Sequence, residues 1–198
     1  MSPRRSAIDS DATRRSIINR AVQMGSSQGL EGVTIGLLAE DLGMSKAGVL
    51  GHFGTKQALQ LATLDRVAAI FTEAIIEPGL AQPRGLLRLR AWCEAWIDYL
   101  ESNVFPGGCF VTAASCEFDG RPGSVRDRIS ALIAVWLETL EHEIEFARGV
   151  GQLSPNIDPP QLALELNGLA MAANQSLQLF GNNEGPALMR RALRDRLT

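Results

Sequence analysis

Residues Thr34 to Lys56 read TIGLLAEDLGMSKAGVLGHFGTK and contain two short apolar segments on either side of a turn. Thr34 and Ser45 each stand immediately before one of these segments, where a side-chain hydroxyl can accept a hydrogen bond from a first-turn N–H group. Gly43 separates the two segments, and Ala39 is small where two helices must cross closely. Two short helices joined in this way form a helix-turn-helix, whose second helix can enter the major groove of DNA.

Basic residues are more frequent at the same end of the chain. Residues 1–60 contain seven Lys and Arg against five Asp and Glu, although the 198-residue chain has a formal net charge of −3. Ser45 and Lys46 begin the predicted second helix and Lys56 begins the next one, and helix N-termini attract phosphate. Lys46 is also long enough to reach a guanine edge. We therefore predict double-stranded DNA as a partner, although a lysine considered alone is more often simply solvated.

The remainder of the chain has the apolar spacing of helices. Apolar residues recur at steps of three and four, with no alternating strand pattern and no internal repeat. Asp158 and Pro159 are typical of a helix start, where an acceptor precedes a proline whose missing N–H costs nothing. The predicted fold class is all-α, with about nine helices. The predicted helices cover residues 11–27, 34–42, 45–54, 55–77, 86–102, 125–148, 159–180 and 184–197, and a small-residue segment lies at 109–118.

These elements suggest three parts of unequal size. Residues 1–10 are predicted to be a flexible arm, and residues 11–56 to be a three-helix domain that carries the helix-turn-helix. Residues 57–198 are predicted to be a helical bundle that binds an effector and forms a dimer.

Several classes of protein are disfavoured by the composition. No segment approaches the roughly 20 apolar residues of a membrane-spanning helix, and no secretory signal pattern opens the chain. Three cysteines, an odd number, favour reduced thiols and a cytoplasmic location. With two histidines, no metal-ligand spacing and no nucleophile beside a base, we expect no cofactor, no metal and no enzymatic activity. A helical adaptor that does not bind DNA remains the alternative.

An effector cavity is the second predicted site. The simplest role for the aromatic residues of the C-terminal bundle is core packing. Ligand pockets are also lined mainly by aromatic and aliphatic side chains, so a small apolar effector could lie among them. Cys109 and Cys116 are expected to be buried, unreactive thiols, with a redox or thiol-reactive sensor as the alternative. The candidate pocket residues are Trp92, Trp96, Cys109, Phe110 and Trp136.

A homodimer is predicted from the last two helices. The helix at 159–180 carries more apolar positions than one monomer can bury, and pairing two copies would cover the excess. Two-fold symmetry would place two reading helices about 34–36 Å apart and predicts a palindromic operator. We expect the helix that starts at Thr55 to be the only rigid connection between the DNA-binding domain and the effector domain. The predicted interface residues are Leu162, Leu166, Leu169, Leu177 and Leu188.

An ordered set of motifs is more specific than any of these patterns. The motifs are Thr13-Arg14-Arg15, Gly29 with Thr34 five residues later, Leu38-Ala39 with Gly43-Met44-Ser45-Lys46, and His52-Phe53-Gly54-Thr55-Lys56 with Leu59. The segment from about Asp11 to Leu64 that contains them resembles the DNA-binding domain of the TetR family of repressors. The resemblance implies an all-helical homodimer with a variable ligand-binding C-terminal domain, which represses transcription until an effector binds.

The resemblance also implies which residues face DNA. Leu50 departs from the family pattern, which commonly has at this position a tyrosine that contacts a phosphate. The predicted DNA-binding residues are Thr34, Ser45, Lys46, Ala47, Gly48, His52 and Lys56.

Overall fold

The chain is mainly helical in the part that the structure describes. The computed structural model describes residues 3–181 and 184–197, and no strand is present within them. The predicted all-α fold class is confirmed. The elements are α1 (Pro3–Gln28), α2 (Ile35–Asp41), α3 (Lys46–Phe53), α4 (Lys56–Phe71), a π-helical segment (Thr72–Ile76), α5 (Glu77–Leu80), α6 (Leu86–Glu101), α7 (Phe110–Phe118), α8 (Ser124–Gly149), α9 (Pro159–Phe180) and α10 (Glu184–Arg196).

Helix α1 is longer at its start than the apolar pattern predicts. It begins at Pro3, so residues 3–10, predicted as a flexible arm, belong to the helix, and residues 1 and 2 of that arm lie outside the described range. Proline is favoured in a first turn because a first-turn N–H group has no partner within the helix. Gly25 lies within α1 and is buried against the Phe110 ring, where a Cβ atom would come within 3.0 Å. The helix ends before Gly29, whose φ of +82° suits glycine.

The helix-turn-helix forms from local interactions. Thr34, Ser45 and Thr55 each accept a hydrogen bond, at 3.0–3.2 Å, from the backbone N–H three residues later. Gly43, with a φ of +63°, turns the chain between α2 and α3. Because each hydroxyl satisfies an otherwise unpaired first-turn N–H group, these caps fix where α2, α3 and α4 begin.

A helical rod runs from the N-terminal domain into the rest of the protein. Helix α4, the π-helical segment and α5 follow one another without a break, and counted as one rod they leave nine helices in the described residues. The expectation that the helix stops near Glu77, before Pro78, is wrong, because α5 continues to Leu80. The π-helical turn immediately before Pro78 changes the i→i−4 pairing where proline has no N–H to donate.

Two hydrophobic cores lie along this rod. The first fills the three N-terminal helices, which we call the head, and includes Leu59 of α4. The second fills the part from α5 to α10, which we call the body, and includes Leu64 of α4. Val22 of α1 also belongs to the core of the body. Head and body therefore pack directly against each other, and α4 is shared between them.

The body is a bundle in which α9 packs on both α8 and α10. The small-residue segment at 109–118 forms α7, which contacts α1 as well as α8. Helix α9 begins at Pro159 as predicted, but the Asp158 side chain makes no capping hydrogen bond. None of the described helices combines the length and the apolar character needed to cross a membrane.

Candidate functional site

The start of α3 presents three of the seven candidate DNA-binding residues to solvent. Val49 and Phe53 are buried and hold one face of α3 on the core of the head. Ser45, Lys46 and Ala47 are exposed at the first turn. An anion approaching this turn would meet backbone N–H groups, a hydroxyl and an ammonium group together.

The side chain of Lys46 also lies close to the start of α2. A Cβ atom on Gly36 would lie 3.3 Å from Cε and 3.6 Å from Nζ of Lys46, and 4.0 Å from Oγ1 of Thr34. The N-termini of α2 and α3 therefore converge around one lysine. Gly48 and His52 are half-buried on the same helix, whereas Leu50 is 42% exposed and has no polar atom to offer a phosphate.

Lys56 begins α4 as predicted, but its side chain is paired with another residue of the chain. Its Nζ donates to the backbone carbonyl of Glu31 at 2.6 Å and to Glu31 Oε1 at 2.7 Å. Gln60 donates to the other carboxylate oxygen at 3.1 Å. The hydrogen bond from Lys56 and then that from Gln60 lower the pKa of Glu31 below its usual value. Lys56 therefore holds the α1–α2 loop, and its charge is already paired with that of Glu31. Because the two residues lie 25 positions apart, the sequence alone could not predict this pairing.

Arg14 is a further cation of the head that the sequence suggested only through its motif. Its guanidinium carbon lies 5.0 Å from the centroid of the Phe53 ring, at the C-terminal end of α3. The side chain is exposed. Stacking on an aromatic ring leaves the guanidinium edge free to contact an anion.

Glu117 connects the body to the head, and sequence reasoning missed this role. Its carboxylate, at the end of α7, accepts the backbone N–H of Leu30 at 2.8 Å and that of Glu31 at 3.0 Å. Gly29 leaves room for it, because a Cβ atom there would lie 2.8 Å from Glu117 Oε1. These amides belong to the α1–α2 loop, next to the carboxylate that holds Lys56. The expectation that α4 is the only rigid connection between head and body is therefore wrong.

The loop before α7 forms a second contact with α1. The Gly107 N–H donates to Ser26 Oγ at 2.8 Å, and Phe110 packs on Gly25. A Cβ atom on Gly107 would come within 1.7 Å of the Ser26 carbonyl oxygen, so only glycine fits there. Helix α7 is thus attached to the head at both of its ends.

A cavity of about 290 Å³ lies in the body between α4, α6, α7, α8 and α9. Helix α4 and the π-helical segment form one wall and α7 another, so both connections to the head border the cavity. Within the described residues, none of its lining side chains is ionisable as an acid, lysine, arginine or histidine. The lining residues are Ala68, Phe71, Thr72, Ile76, Trp96, Cys109, Val111, Thr112, Ser115, Leu132, Ile133, Val135, Trp136, Thr139, Asn167 and Met171.

Of the five candidate pocket residues, Trp96, Cys109 and Trp136 line this cavity. Trp92 does not, because its indole N–H donates to the Ile76 carbonyl at 3.1 Å and its ring covers Gly79. Phe110 does not either, because its ring faces α1 at Gly25. Aromatic composition pointed to the region that contains this cavity, but only the packing of individual rings shows which of them line the cavity and which fill the core.

The five candidate dimer residues differ in how deeply they are buried. Leu162 and Leu166 are buried within the chain's own core, so their assignment to an interface is corrected. Leu169 and Leu177 are partly buried against that core. Leu188 is 50% exposed. The opposite face of α9 is the one that remains uncovered, and it carries Leu164, Gly168, Met171, Ala172 and Leu179.

The cysteines differ in exposure. Cys93 and Cys109 are buried, whereas Cys116 is exposed, so the expectation that Cys116 is buried is wrong. Burial raises the pKa of the Cys93 thiol to about 12 and also raises that of Cys109. Among the described residues no group of three His, Cys, Asp or Glu side chains is placed to hold a metal ion.

Comparison with solved structures identifies the same fold in other proteins. A TetR transcriptional regulator from Chloroflexus aurantiacus superimposes with a TM-score of 0.86 at 22% identity, covering 93% of each chain. AibR, solved in complex with isovaleryl coenzyme A and operator DNA, gives a TM-score of 0.77 at 21% identity, covering 93% of this chain and 97% of that one. These likenesses show a shared fold.

Sequence comparison reaches the same family. The HTH-type transcriptional repressor AcnR of Corynebacterium efficiens is 36% identical over 76 residues, which is 38% of this chain, and the match spans only 40% of that repressor's length. The AcnR of Corynebacterium glutamicum matches to the same extent. Residues 17–63 match the family described as bacterial regulatory proteins, tetR family, and residues 85–193 match the tetracyclin repressor-like C-terminal domain. Since the second match alone covers more than half of the 198 residues, the chain belongs to the TetR family.

Proposed function

We propose that this protein is a sequence-specific DNA-binding repressor of transcription, located in the cytoplasm and released from its operator by a small apolar effector. The observation that carries the proposal is the exposed first turn of α3, where Ser45 and Lys46 stand beside the start of α2. The Corynebacterium relatives are named transcriptional repressors, and AibR was solved with operator DNA, which supports the assignment.

The contacts we propose are of two kinds: contacts to phosphates, which position the protein on DNA, and contacts to bases, which recognise the sequence. Thr34, Ser45 and the first-turn amides of α3 would bind phosphate, and Lys46 would reach a base edge. The small side chains of Ala47 and Gly48 would let the backbone of α3 approach the groove. We also place His52 and Arg14 at this surface, and we exclude Lys56 because Glu31 holds its ammonium group.

A homodimer would present this surface twice. The uncovered face of α9, with Leu164, Met171 and Leu179, together with Leu188 of α10, is apolar enough to be buried against a second copy. The two heads would then contact two half-sites about 34–36 Å apart, and the operator would be palindromic.

The effector would act through both connections between body and head. A molecule in the cavity would press on Phe71 and Thr72 along the rod and on Thr112 and Ser115 of α7. The rod begins just after the C-terminal end of α3, and α7 contacts the α1–α2 loop through Glu117. A ligand that prefers one arrangement of these helices would shift the spacing of the heads and lower DNA affinity.

The DNA-binding proposal is tested by selecting bound fragments from random DNA and then titrating the selected operator at several salt concentrations. Lys46→Ala should weaken binding and reduce the slope of log affinity against log salt, because fewer counterions are released. Arg126→Ala, which removes an exposed cation of the body, is the matched control and should change neither the affinity for the operator nor the salt slope.

Two results would contradict the proposal. Failure to enrich any DNA sequence would favour a protein-binding adaptor. Equal loss of affinity in the Lys46 and Arg126 variants would show that α3 is not the contact surface.

A further inference from the structure

A short segment before α7 joins α9 to α1. We call this segment, residues 105–109, the clasp. At one end the Cys109 N–H donates to Asn174 Oδ1 of α9 at 2.8 Å. Two residues earlier the Gly107 N–H donates to Ser26 Oγ of α1, also at 2.8 Å. One short piece of backbone therefore holds both helices.

Both acceptors of the clasp lie in the interior of the protein. Ser26 is 7% exposed and Asn174 is 8% exposed. Buried polar groups are nearly always hydrogen-bonded, and a buried N–H that loses its acceptor is costly to leave unpaired. Each end of the clasp therefore depends on one acceptor side chain that is shielded from water.

The clasp has little freedom to absorb a movement at either end. A Cβ atom on Gly107 would overlap the Ser26 carbonyl oxygen, and one on Gly108 would overlap Asn174 Oδ1. Gly108 also has a φ of +77°, and Phe105 at the start of the clasp is only 1% exposed. Because closely packed segments transmit displacements, a shift of α9 would be passed to α1 through the clasp.

Asn174 lies on the buried side of the helix whose other side we propose as the dimer contact. Leu164 and Leu179 of the same helix are 64% and 69% exposed. Cys109 and, on α9, Met171 also line the cavity of the body, so a molecule in the cavity would touch both elements that the bond joins. The packing of a second copy and the occupancy of the cavity would thus both affect the clasp.

On the basis of the proposed DNA-binding function, we infer that Asn174 is a positioning residue for operator binding. Its hydrogen bond to the clasp fixes α1, and with it the head, relative to α9. Asn174 does not itself contact DNA. Two heads that must meet two half-sites at a fixed spacing bind best when each is held in place, because less conformational freedom is lost on binding.

Operator affinity of the full-length protein tests this inference, with the operator selected from random DNA as probe. Asn174→Ala and Ser26→Ala each remove one acceptor of the clasp and should each weaken binding about three- to tenfold, the range of one net hydrogen bond. The slope of log affinity against log salt should stay that of the wild type, because no phosphate contact is removed. The double variant should lie within about twofold of the weaker single variant, because both changes act through the clasp, whereas independent effects would multiply.

Ser176→Ala is the matched control on the same helix. Ser176 Oγ accepts the Gly185 N–H of α10 at 3.2 Å, so this variant also removes an acceptor from α9 but leaves the clasp unchanged. Its operator affinity should stay within about twofold of the wild type, even where urea denaturation shows a loss of stability like that of Asn174→Ala.

Amide hydrogen exchange follows the same coupling without DNA. In Asn174→Ala the Cys109 amide loses its own acceptor, and the Gly107 amide should also lose protection, by more than the change in global stability accounts for. In Ser26→Ala the Cys109 amide should lose protection in turn, because coupling between two sites is reciprocal.

The outcomes separate this inference from the function on which it depends. Unchanged operator affinity in Asn174→Ala and Ser26→Ala, multiplying losses in the double variant, or an equal loss in Ser176→Ala would overturn the inference and leave DNA binding intact. Failure of the wild type to bind any DNA would overturn the proposed function instead. The exchange measurement would then still decide whether the clasp couples α9 to α1, and unchanged protection of Gly107 in Asn174→Ala would overturn that coupling.

Discussion

Replacing Glu117 by alanine should detach the α1–α2 loop from the body. The carboxylate accepts two backbone N–H groups, from Leu30 at 2.8 Å and from Glu31 at 3.0 Å, in a part-buried position. A hydrogen bond to a charged group contributes about 1.5–3 kcal/mol. Allowing for solvent access, we expect the free energy of unfolding to fall by about 2–4 kcal/mol.

Urea denaturation measures the loss of stability, and amide hydrogen exchange locates it. The Leu30 and Glu31 amides should lose protection in Glu117→Ala, because their acceptor is gone, while the core amides of α8 should change only as much as global stability does. The free energy of unfolding of Glu117→Gln should lie between those of the wild type and Glu117→Ala. The oxygen of the new side-chain amide can accept one of the two N–H groups, but the NH₂ group of that amide repels the other.

Asp119→Ala is the matched control. Asp119 is an exposed carboxylate two residues away, and its Oδ1 accepts the N–H of the adjacent Gly120. This variant should stay within about 0.5 kcal/mol of the wild type. If Glu117→Ala were as stable as Asp119→Ala and the Leu30 and Glu31 amides kept their protection, the proposed connection through α7 would be refuted.

Three further predictions concern the thiols, the dimer and acid stability. In the native protein, a thiol-alkylating reagent should modify Cys116 first and leave Cys93 and Cys109 protected, as peptide mass spectrometry would show; rapid modification of Cys109 would contradict its burial. Leu164→Glu and Leu179→Glu should each shift the sedimentation coefficient toward a monomer, whereas Leu87→Glu, at another exposed leucine, should not; three unchanged coefficients would remove the α9 face as the interface. Lys56, Arg190 and Arg196 lower the pKa values of Glu31, Glu101 and Glu165, so the stability from these pairs is present above the unfolded carboxyl pKa of about 4.3 and is lost as the pH falls through the lower folded values. Urea titrations at pH 7 and pH 3.5 should show this loss, and equal stability at the two values would argue against it.

Features that depend on neighbouring residues could be predicted from the sequence. Thr34, Ser45 and Thr55 each bond to an N–H three residues away, so the sequence contains both partners of every cap. The same is true of the apolar spacing that gave the helices. Pro78 is the exception, because a π-helical turn accommodates it within a longer rod.

Sequence alone determined where most helices lie and which short segment resembles a DNA-binding helix-turn-helix. The reason is that apolar spacing and helix capping each involve residues only a few positions apart. Tertiary structure decided which side chains are free to act. Lys56 is paired with a residue 25 positions away, and Glu117 with amides 86 and 87 positions away. On α9, apolar residues occupy nearly every face, so periodicity could not distinguish Leu162, 1% exposed, from Leu164, 64% exposed. The packing of α6, α8 and α10 against α9 decides which of these leucines is buried.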